Sequence, residues 1–173
     1  MLNFTQRVIG ALKLQTSVYE EVEADRGATA QALAVVVISS VATGVGVSRT
    51  SSLASLIAGA LAALFGWFIW AGFTYVIGTK MLPEPQTKSN VGELLRTTGF
   101  ASAPAIFHLL ARLPLIGGVV SLAVSVWMLV AMVIAVRQAL DYRSTGRAVG
   151  VCVIGWLVYI AVAVFMSNLS ELR

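Results

Sequence analysis

The stretch that decides the fold is residues 96–112, RTTGFASAPAIFHLLAR, in which fifteen uncharged residues lie between two arginines. As an α-helix those residues would rise about 22 Å, which is less than the hydrocarbon core of about 30 Å. The stretch therefore either spans the membrane with Arg96 and Arg112 snorkelling to the two interfaces, or dips in and returns. The first alternative predicts five crossings with the chain ends on opposite sides, and the second predicts four.

Composition places the chain in a bilayer. It has 173 residues, of which 58% are hydrophobic and 12% charged, and its mean hydropathy is +0.86. A soluble domain carries about 25% charged residues, so half that share together with long uncharged runs is typical of a membrane protein. We expect an all-α polytopic membrane helix bundle, in which residues 1–173 form a single integral membrane domain.

Five apolar runs are predicted as transmembrane helices, and they are residues 28–47, 53–78, 97–111, 115–136 and 148–167. The third is short and contains a proline. Residues 91–96 are predicted as an interfacial turn that leads into it, and a six-residue polar tail follows the last run.

Residues 1–26 are predicted to form one amphipathic helix. Its apolar stripe consists of Phe4, Val8, Ile9, Leu12, Tyr19 and Val22, which recur at helical spacing. Arg7 and Lys13 lie off that stripe, and an acidic cluster ends the segment. Two compatible placements remain open, which are a helix lying in the membrane interface and a helix that caps the bundle from the cytoplasm.

The distribution of lysine and arginine predicts the orientation. With five spans, nine of the twelve basic residues fall on the side of the N-terminus and three on the other side. With four spans the division is eight against four, which follows the positive-inside rule less well. We therefore expect five crossings in a bacterial inner membrane, with the N-terminus in the cytoplasm and the C-terminus outside.

Small side chains form a stripe on the second span. They recur every four residues at Ala54, Ala58, Ala62 and Gly66. Such a face lets another helix approach closely, so the stripe is predicted to pack against a helix of this chain or of a partner. The aromatic residues that follow, Trp67, Trp70 and Tyr75, are interpreted as an interfacial belt rather than a ligand cage.

Three residues of the third span are predicted to have structural roles. Pro104 removes one backbone hydrogen bond and bends the helix, and Ser102 or Thr98 could satisfy a freed backbone group. His108 is expected to be neutral and to point into the bundle. Its predicted partner is a hydroxyl of Ser121, Ser125 or Thr43, or a backbone carbonyl freed by Pro104. A haem site would need a second axial ligand, and the chain has one histidine.

The sequence contains no catalytic signature. We expect no cofactor and no metal. We also expect no nucleic-acid binding, because the sequence has no basic cluster and its net charge of +4 fits a membrane protein. No Asp, Glu, Lys or Arg lies within a proposed span, which counts against a pump or a proton-coupled transporter. Cys152, the one cysteine, cannot form an internal disulfide.

Several segments resemble those of the Yip family, with the prokaryotic branch the closer match. They are VYEEVEADRGATAQA at 18–32, GFASAP at 99–104 followed by Pro114 and Gly117, residues 127–139, and the Arg147-Ala148-Val149 entry to the last span. The resemblance implies a small integral membrane protein with five crossings. Eukaryotic relatives bind prenylated Rab-type GTPases through longer N-terminal regions. Residues 1–26 are shorter and lack the relatives' tyrosine-glycine signature, which counts against GTPase binding.

These observations favour a non-enzymatic membrane protein that acts as a scaffold, adaptor or accessory subunit. Its expected partners are the lipid bilayer and other membrane proteins or further copies of the chain. A small permease or channel is the alternative, and a lipid-organising protein that uses the N-terminal helix is a further one. A polar path at helix interfaces would favour the permease.

Overall fold

In the part of the chain that the structure describes, the fold consists of seven α-helices, one π-helical turn and one 3₁₀ helix. The computed structural model describes residues 2–48 and 52–171, with side chains for all of these except 162, 163 and 165–171. The elements are α1 (Phe4–Leu12), α2 (Thr16–Ala24), α3 (Ala28–Val47), α4 (Leu53–Val76), the π-helical turn Ile77–Met81, α5 (Val91–Ala101), the 3₁₀ helix Ala103–Arg112, α6 (Gly117–Ala139) and α7 (Thr145–Glu171). Every regular element in the described ranges is a helix, as the apolar runs predict.

The N-terminal segment is a pair of helices, so the prediction of a single amphipathic helix was wrong. Leu14 adopts a left-handed conformation with φ 58°, and it ends α1 and reverses the chain into α2. Arg7 is 1% exposed and lies between the pair, where Nη2 is 3.1 Å from Glu21 and 2.7 Å from Asp25. An arginine off the apolar stripe is thus buried, because acidic partners on the other helix satisfy its charge.

The helix pair packs on the bundle. α2 contacts α5 and α6. The indole of Trp127, in the middle of α6, donates a 3.1 Å hydrogen bond to the carbonyl of Leu12 at the end of α1. This arrangement agrees with the capping alternative for residues 1–26.

The segments that connect the helices lie at the two ends of the bundle, where polar contacts join them. At the basal end, defined here by the helix pair, residues 82–90 and residues 140–144, Gln138 donates to Glu20 at 2.8 Å. There the Glu84 carboxylate also accepts the backbone N–H groups of Arg143 and Ser144 at 3.0 and 3.2 Å. At the distal end, the end of α3, the end of the 3₁₀ helix and the start of α6 meet.

The third predicted span is longer than the sequence suggested and changes helix type within it. α5 begins at Val91, where Asn90 and Glu93 form a capping box, so residues 91–96 are helix rather than an interfacial turn. The 3₁₀ helix then runs to Arg112, which donates to the Val45 carbonyl at 3.3 Å. The rises of α5 and the 3₁₀ helix add to about 36 Å, because a 3₁₀ helix climbs about 2.0 Å per residue.

Arg96 is buried beneath α2, a place that the snorkelling argument did not foresee. Its side chain is 6% exposed, and Nε donates to the carbonyls of Val22 at 2.9 Å and Glu23 at 3.1 Å. Its Nη2 is also hydrogen-bonded to the Glu23 carbonyl. The arginine therefore caps the carboxyl end of α2, where a cation is favoured by the helix dipole.

Gly46 brings α3 against the 3₁₀ helix at the distal end. A Cβ built on Gly46 would lie 1.8 Å from the carbonyl oxygen of His108, a distance that no side chain can occupy. α3 remains helical to Val47, past the glycines at 44 and 46. Gly46 permits backbone-to-backbone approach.

Among the described residues, three helices are long and apolar enough to cross a membrane, namely α3, α4 with its π-helical turn, and α6. The start of α7 is a shorter apolar helix. α4 is the least covered, with 6% of its most apolar window buried against 33% for α3 and 22% for α6. The helix boundaries lie close to the predicted spans at 28–47, 53–78 and 115–136. α7 continues past the predicted end at residue 167, and Arg49 and Arg173 of the charge count lie outside the described residues.

Candidate functional site

The small-residue stripe of α4 lies on the surface of the chain. Ala54, Ala58 and Ala62 are exposed and Gly66 is half-buried. A Cβ built on Gly66 would meet no atom within 4 Å. Because four residues advance a helix by about 400°, the stripe turns by about 40° at each step. Its first two members therefore face outward, while its last two border a cavity.

That cavity is a cleft of about 630 Å³ between α4 and the rest of the bundle, and it is called the α4 cleft below. Its wall combines small, aromatic and polar side chains from α3, α4, α5, the 3₁₀ helix, α6 and α7. The small ones are Gly44, Gly59, Ala62, Ala63, Gly66 and Ala105. The aromatic ones are Trp67, Trp70, Trp156 and Tyr159. The lining contains no acidic or basic side chain among the described residues.

Two polar groups of this wall, the hydroxyl of Ser39 and the indole N–H of Trp70, have no hydrogen-bond partner among the described residues. Ser39 is 3% exposed. The neighbouring Ser40 hydroxyl donates to the Val37 carbonyl at 2.8 Å. The indole N–H of Trp70 is likewise buried and unpartnered in the described part of the chain. A buried donor left unpaired is costly, so these two groups mark where an acceptor could bind.

Trp67 joins α4 to α5, and the interfacial-belt interpretation was wrong for it. The residue is 7% exposed, and its indole N–H donates to the Thr98 hydroxyl at 3.1 Å inside the bundle. Thr98 in turn donates to the Leu94 carbonyl at 2.5 Å. Trp70, one turn further along α4, packs its ring against Gly155 of α7. The indoles of these two tryptophans therefore form part of the bundle.

His108 is buried at the distal end beside α3. Its Nδ1 lies 3.2 Å from the hydroxyl of Thr43, one of the partners that the sequence argument names. Thr43 has a single hydroxyl proton and donates it to the Ser39 carbonyl at 2.9 Å. The Thr43 oxygen must therefore accept from His108, which assigns the proton of a neutral ring to Nδ1.

Ser102 and Pro104 mark the change from α5 to the 3₁₀ helix. The Ser102 hydroxyl donates to the Gly99 carbonyl at 2.6 Å. Pro104 is buried in the first turn of the 3₁₀ helix, where a missing N–H leaves no helical hydrogen bond unmade. Ser102 borders the α4 cleft, whereas His108 and Pro104 are absent from its lining.

The basal end carries a second polar region, formed by α2, α6 and the connector after α6. Burial, together with the nearby carboxylates of Asp141 and Glu93, raises the pKa of Glu23 to about 7, and the charge of Arg96 opposes that shift. The hydrogen bond from Arg7 lowers the pKa of Asp25. No group of His, Cys, Asp and Glu side chains is placed to hold a metal ion in the described part of the chain.

The cleft and its unpartnered donors were missed by reasoning from the sequence. Ser39 lies within a run rich in valine, alanine and serine, and this pattern predicts an apolar helix but no binding site. The capping box at Asn90, in contrast, is a sequence signal that would have located the start of α5.

The Yip1 domain model matches residues 16–166, which covers most of the chain from α2 into α7. This chain belongs to the Yip1 domain family. It matches no curated protein and no solved structure.

Family membership and the apolar helices together make this an integral membrane protein whose helices contact the lipid bilayer. The Yip1 family is not an enzyme family. The match begins at α2 and so includes the helix whose carboxyl end Arg96 caps. It also includes every residue of the α4 cleft and both of its unpartnered donors.

Proposed function

We propose that this Yip1 domain protein is a non-enzymatic scaffold, adaptor or accessory subunit that binds another membrane protein, or a second copy of itself, through α4. The observation that carries the proposal is the exposure of Ala54, Ala58 and Ala62 on the least covered apolar helix. A stripe of small side chains lets two helix backbones approach closely within lipid. No described helix of this chain occupies that place at Ala54 and Ala58.

The same face also carries large apolar side chains that a partner would cover. Leu61 is 62% exposed and Phe65 is 71% exposed. Small residues flanked by large ones give a groove between ridges, which suits the packing of one helix against another. A proton-coupled permease would instead need ionisable side chains along its path, and the wall of the α4 cleft carries no charged side chain among the described residues.

We further propose five crossings in a bacterial inner membrane, in a prokaryotic branch of the family, with the N-terminus in the cytoplasm. The contacts at the two ends of the bundle support this, because α5 with the 3₁₀ helix runs from the basal to the distal end. Glu84 contacts Arg143, as expected if the chain crosses the membrane an even number of times between these two residues. Arg112 contacts Val45, which is expected for the same reason. The excess of basic residues on the basal side supports a cytoplasmic basal end.

Cross-linking in native membranes tests the docking role of α4. In a Cys152→Ser background, which removes the one native cysteine, Ala58→Cys is expected to give a disulfide dimer on mild oxidation if the partner is a second copy. A photo-reactive residue at position 58 is expected to capture a different membrane protein if the partner is not. The matched control is Leu122→Cys on α6, where the side chain is 67% exposed. Equal cross-linking at both positions, or none at position 58, would contradict the proposal.

A further inference from the structure

We propose that the α4 cleft binds a neutral lipid whose polar part is a carbonyl-bearing ring, which is the chemistry of the isoprenoid quinones. This inference goes beyond the docking role of α4 and rests on the unpartnered donors of Ser39 and Trp70. Ala58, which tests docking, is absent from the lining of the cleft.

The size of the cleft suits a single small ligand. Its volume of about 630 Å³ lies within the range of about 300–1,000 Å³ that small-molecule sites occupy. Its wall is mostly apolar with a few polar groups, which is the usual composition of such sites. Gly59 and Gly66 hold part of this space open, because a Cβ on either would meet no atom within 4 Å.

The two unpartnered donors of the cleft indicate that the ligand carries hydrogen-bond acceptors. Ser39 is 3% exposed and its hydroxyl is unpartnered, and the buried indole N–H of Trp70 has no acceptor in the described part of the chain. An indole N–H can only donate, and a hydroxyl can donate one hydrogen bond. A ligand that carries carbonyl oxygens satisfies both groups.

The depth of Ser39 excludes a charged head group. It lies 11 residues from the start of α3 and 8 from its end, or about 16 Å and 12 Å from the two helix ends. A charge at that depth is costly, and the described lining offers no counter-charge. The carbonyls of a phospholipid lie next to its head group and cannot reach this level without burying it. A quinone carries its carbonyls on an uncharged ring and meets no such cost.

Aromatic side chains favour a ring over an ester. Trp67, Trp70, Trp156 and Tyr159 all line the cleft, and aromatic groups stack on flat conjugated rings. The tail of such a lipid would leave through the open side of the cleft, past the exposed side chain of Trp156, into the surrounding bilayer.

Quenching of tryptophan fluorescence by decylubiquinone tests the site in purified full-length protein in detergent. Three of the four tryptophans line the cleft, so a bound quinone would quench most of the emission. We expect saturable quenching in the wild type. Gly66→Leu and Gly59→Leu place a side chain in the empty space and should abolish the saturable part.

Two controls separate the cleft from the surrounding surface. Gly72→Leu makes the same change on α4 at a glycine that is also open but does not line the cleft, and it should bind as the wild type does. Ser39→Ala should weaken binding by about three- to tenfold, the range for one lost hydrogen bond. Ser40→Ala should leave binding unchanged, because that hydroxyl already donates to Val37.

Several results would overturn the proposal. Quenching that rises without saturation, equally in all variants, would mean that the quinone only partitions into the detergent. Displacement of decylubiquinone by dioleoylglycerol at equal concentration would show that the cleft does not require a ring in its ligand. Displacement by phosphatidylglycerol would show that the cleft does not require an uncharged ligand. A disulfide between two Gly66→Cys chains in a Cys152→Ser background would place a second copy in the cleft.

Discussion

Gly46 shows how one residue sets the distance between two helices. A Cβ added to Gly46 would lie 1.8 Å from the carbonyl oxygen of His108, which leaves no room for a methyl group. We predict that Gly46→Ala forces α3 away from the 3₁₀ helix and lowers the free energy of unfolding by about 1–3 kcal/mol. Thermal unfolding in detergent measures the loss. Gly59→Ala on α4, where the added group meets nothing, is the control and should be neutral or slightly stabilising. Equal stability of the two variants would contradict the close approach.

The hydrogen bond between His108 and Thr43 is the second test at this scale. His108→Leu removes the donor that Thr43 accepts and should cost about 1–2 kcal/mol, the range for membrane hydrogen bonds in model peptides. His108→Gln keeps a donor and an acceptor and should preserve folding. Thr43→Val should cost little more once His108 is already leucine, because the two residues share one interaction. Additive losses, or a metal or haem that is bound by the wild type and lost in His108→Gln, would refute a structural role.

Among the elements, the sequence predicted the long apolar helices well and the polar ones poorly. α3, α4 and α6 each contain an eighteen-residue window of high mean hydropathy with few charged residues, and such segments have few alternatives to a membrane helix. The N-terminal pair was missed because the left-handed turn at Leu14 has no glycine or asparagine to announce it. Arg7 lies off the apolar stripe, and its burial was missed because helical periodicity does not reveal a partner on another helix.

The candidate site was beyond sequence reasoning for a related reason. Five α-helices and the 3₁₀ helix contribute to the α4 cleft, and residues as distant as Ser39 and Tyr159 share its wall. No pattern within one helix records which side chains of the others will face it. The stripe of Ala54 to Gly66 was visible, but its turn from the outer surface into the cleft follows only from the bundle.

The junction of α2, α5 and α6 gives a prediction for pH. The raised pKa of Glu23, about 7 against an ordinary 4.5, means that the folded state binds more protons than the unfolded state between these values. Stability therefore falls as the pH rises through this window and stays lower above it. Glu23→Gln should be more stable than the wild type near about pH 8, with the gain shrinking toward about pH 4.

Asp25→Asn provides the opposite sign in the same helix pair. The hydrogen bond from Arg7 lowers the pKa of Asp25, so its contribution is present at neutral pH and is lost as the pH falls. This variant should be less stable than the wild type near about pH 8, with the difference disappearing in acid. Thermal melts of both variants across the pH range measure the two trends. A Glu23→Gln curve parallel to that of the wild type would show that neither burial nor the charges of Asp141, Glu93, Glu20 and Arg96 raise the pKa of Glu23.

At the scale of the whole molecule, the two ends of the bundle decide the topology. The element formed by α5 and the 3₁₀ helix either carries the chain across the membrane or returns it to the side on which it began. Leu115, which follows that element, is fully exposed, and Lys88, which precedes it, is also exposed. Five crossings place these two residues on opposite sides, and four crossings place them together.

Cysteine labelling of intact cells distinguishes the two topologies. In a Cys152→Ser background, Leu115→Cys should react with a membrane-impermeant maleimide added outside. Lys88→Cys should react only after the cells are opened, because the basic excess on the basal side favours the cytoplasm for that end. The expectation follows from the contacts of Arg112 with Val45 and of Glu84 with Arg143, which hold these connections at separate ends. Protection of both cysteines in intact cells would instead mean that residues 91–112 return to the cytoplasmic side.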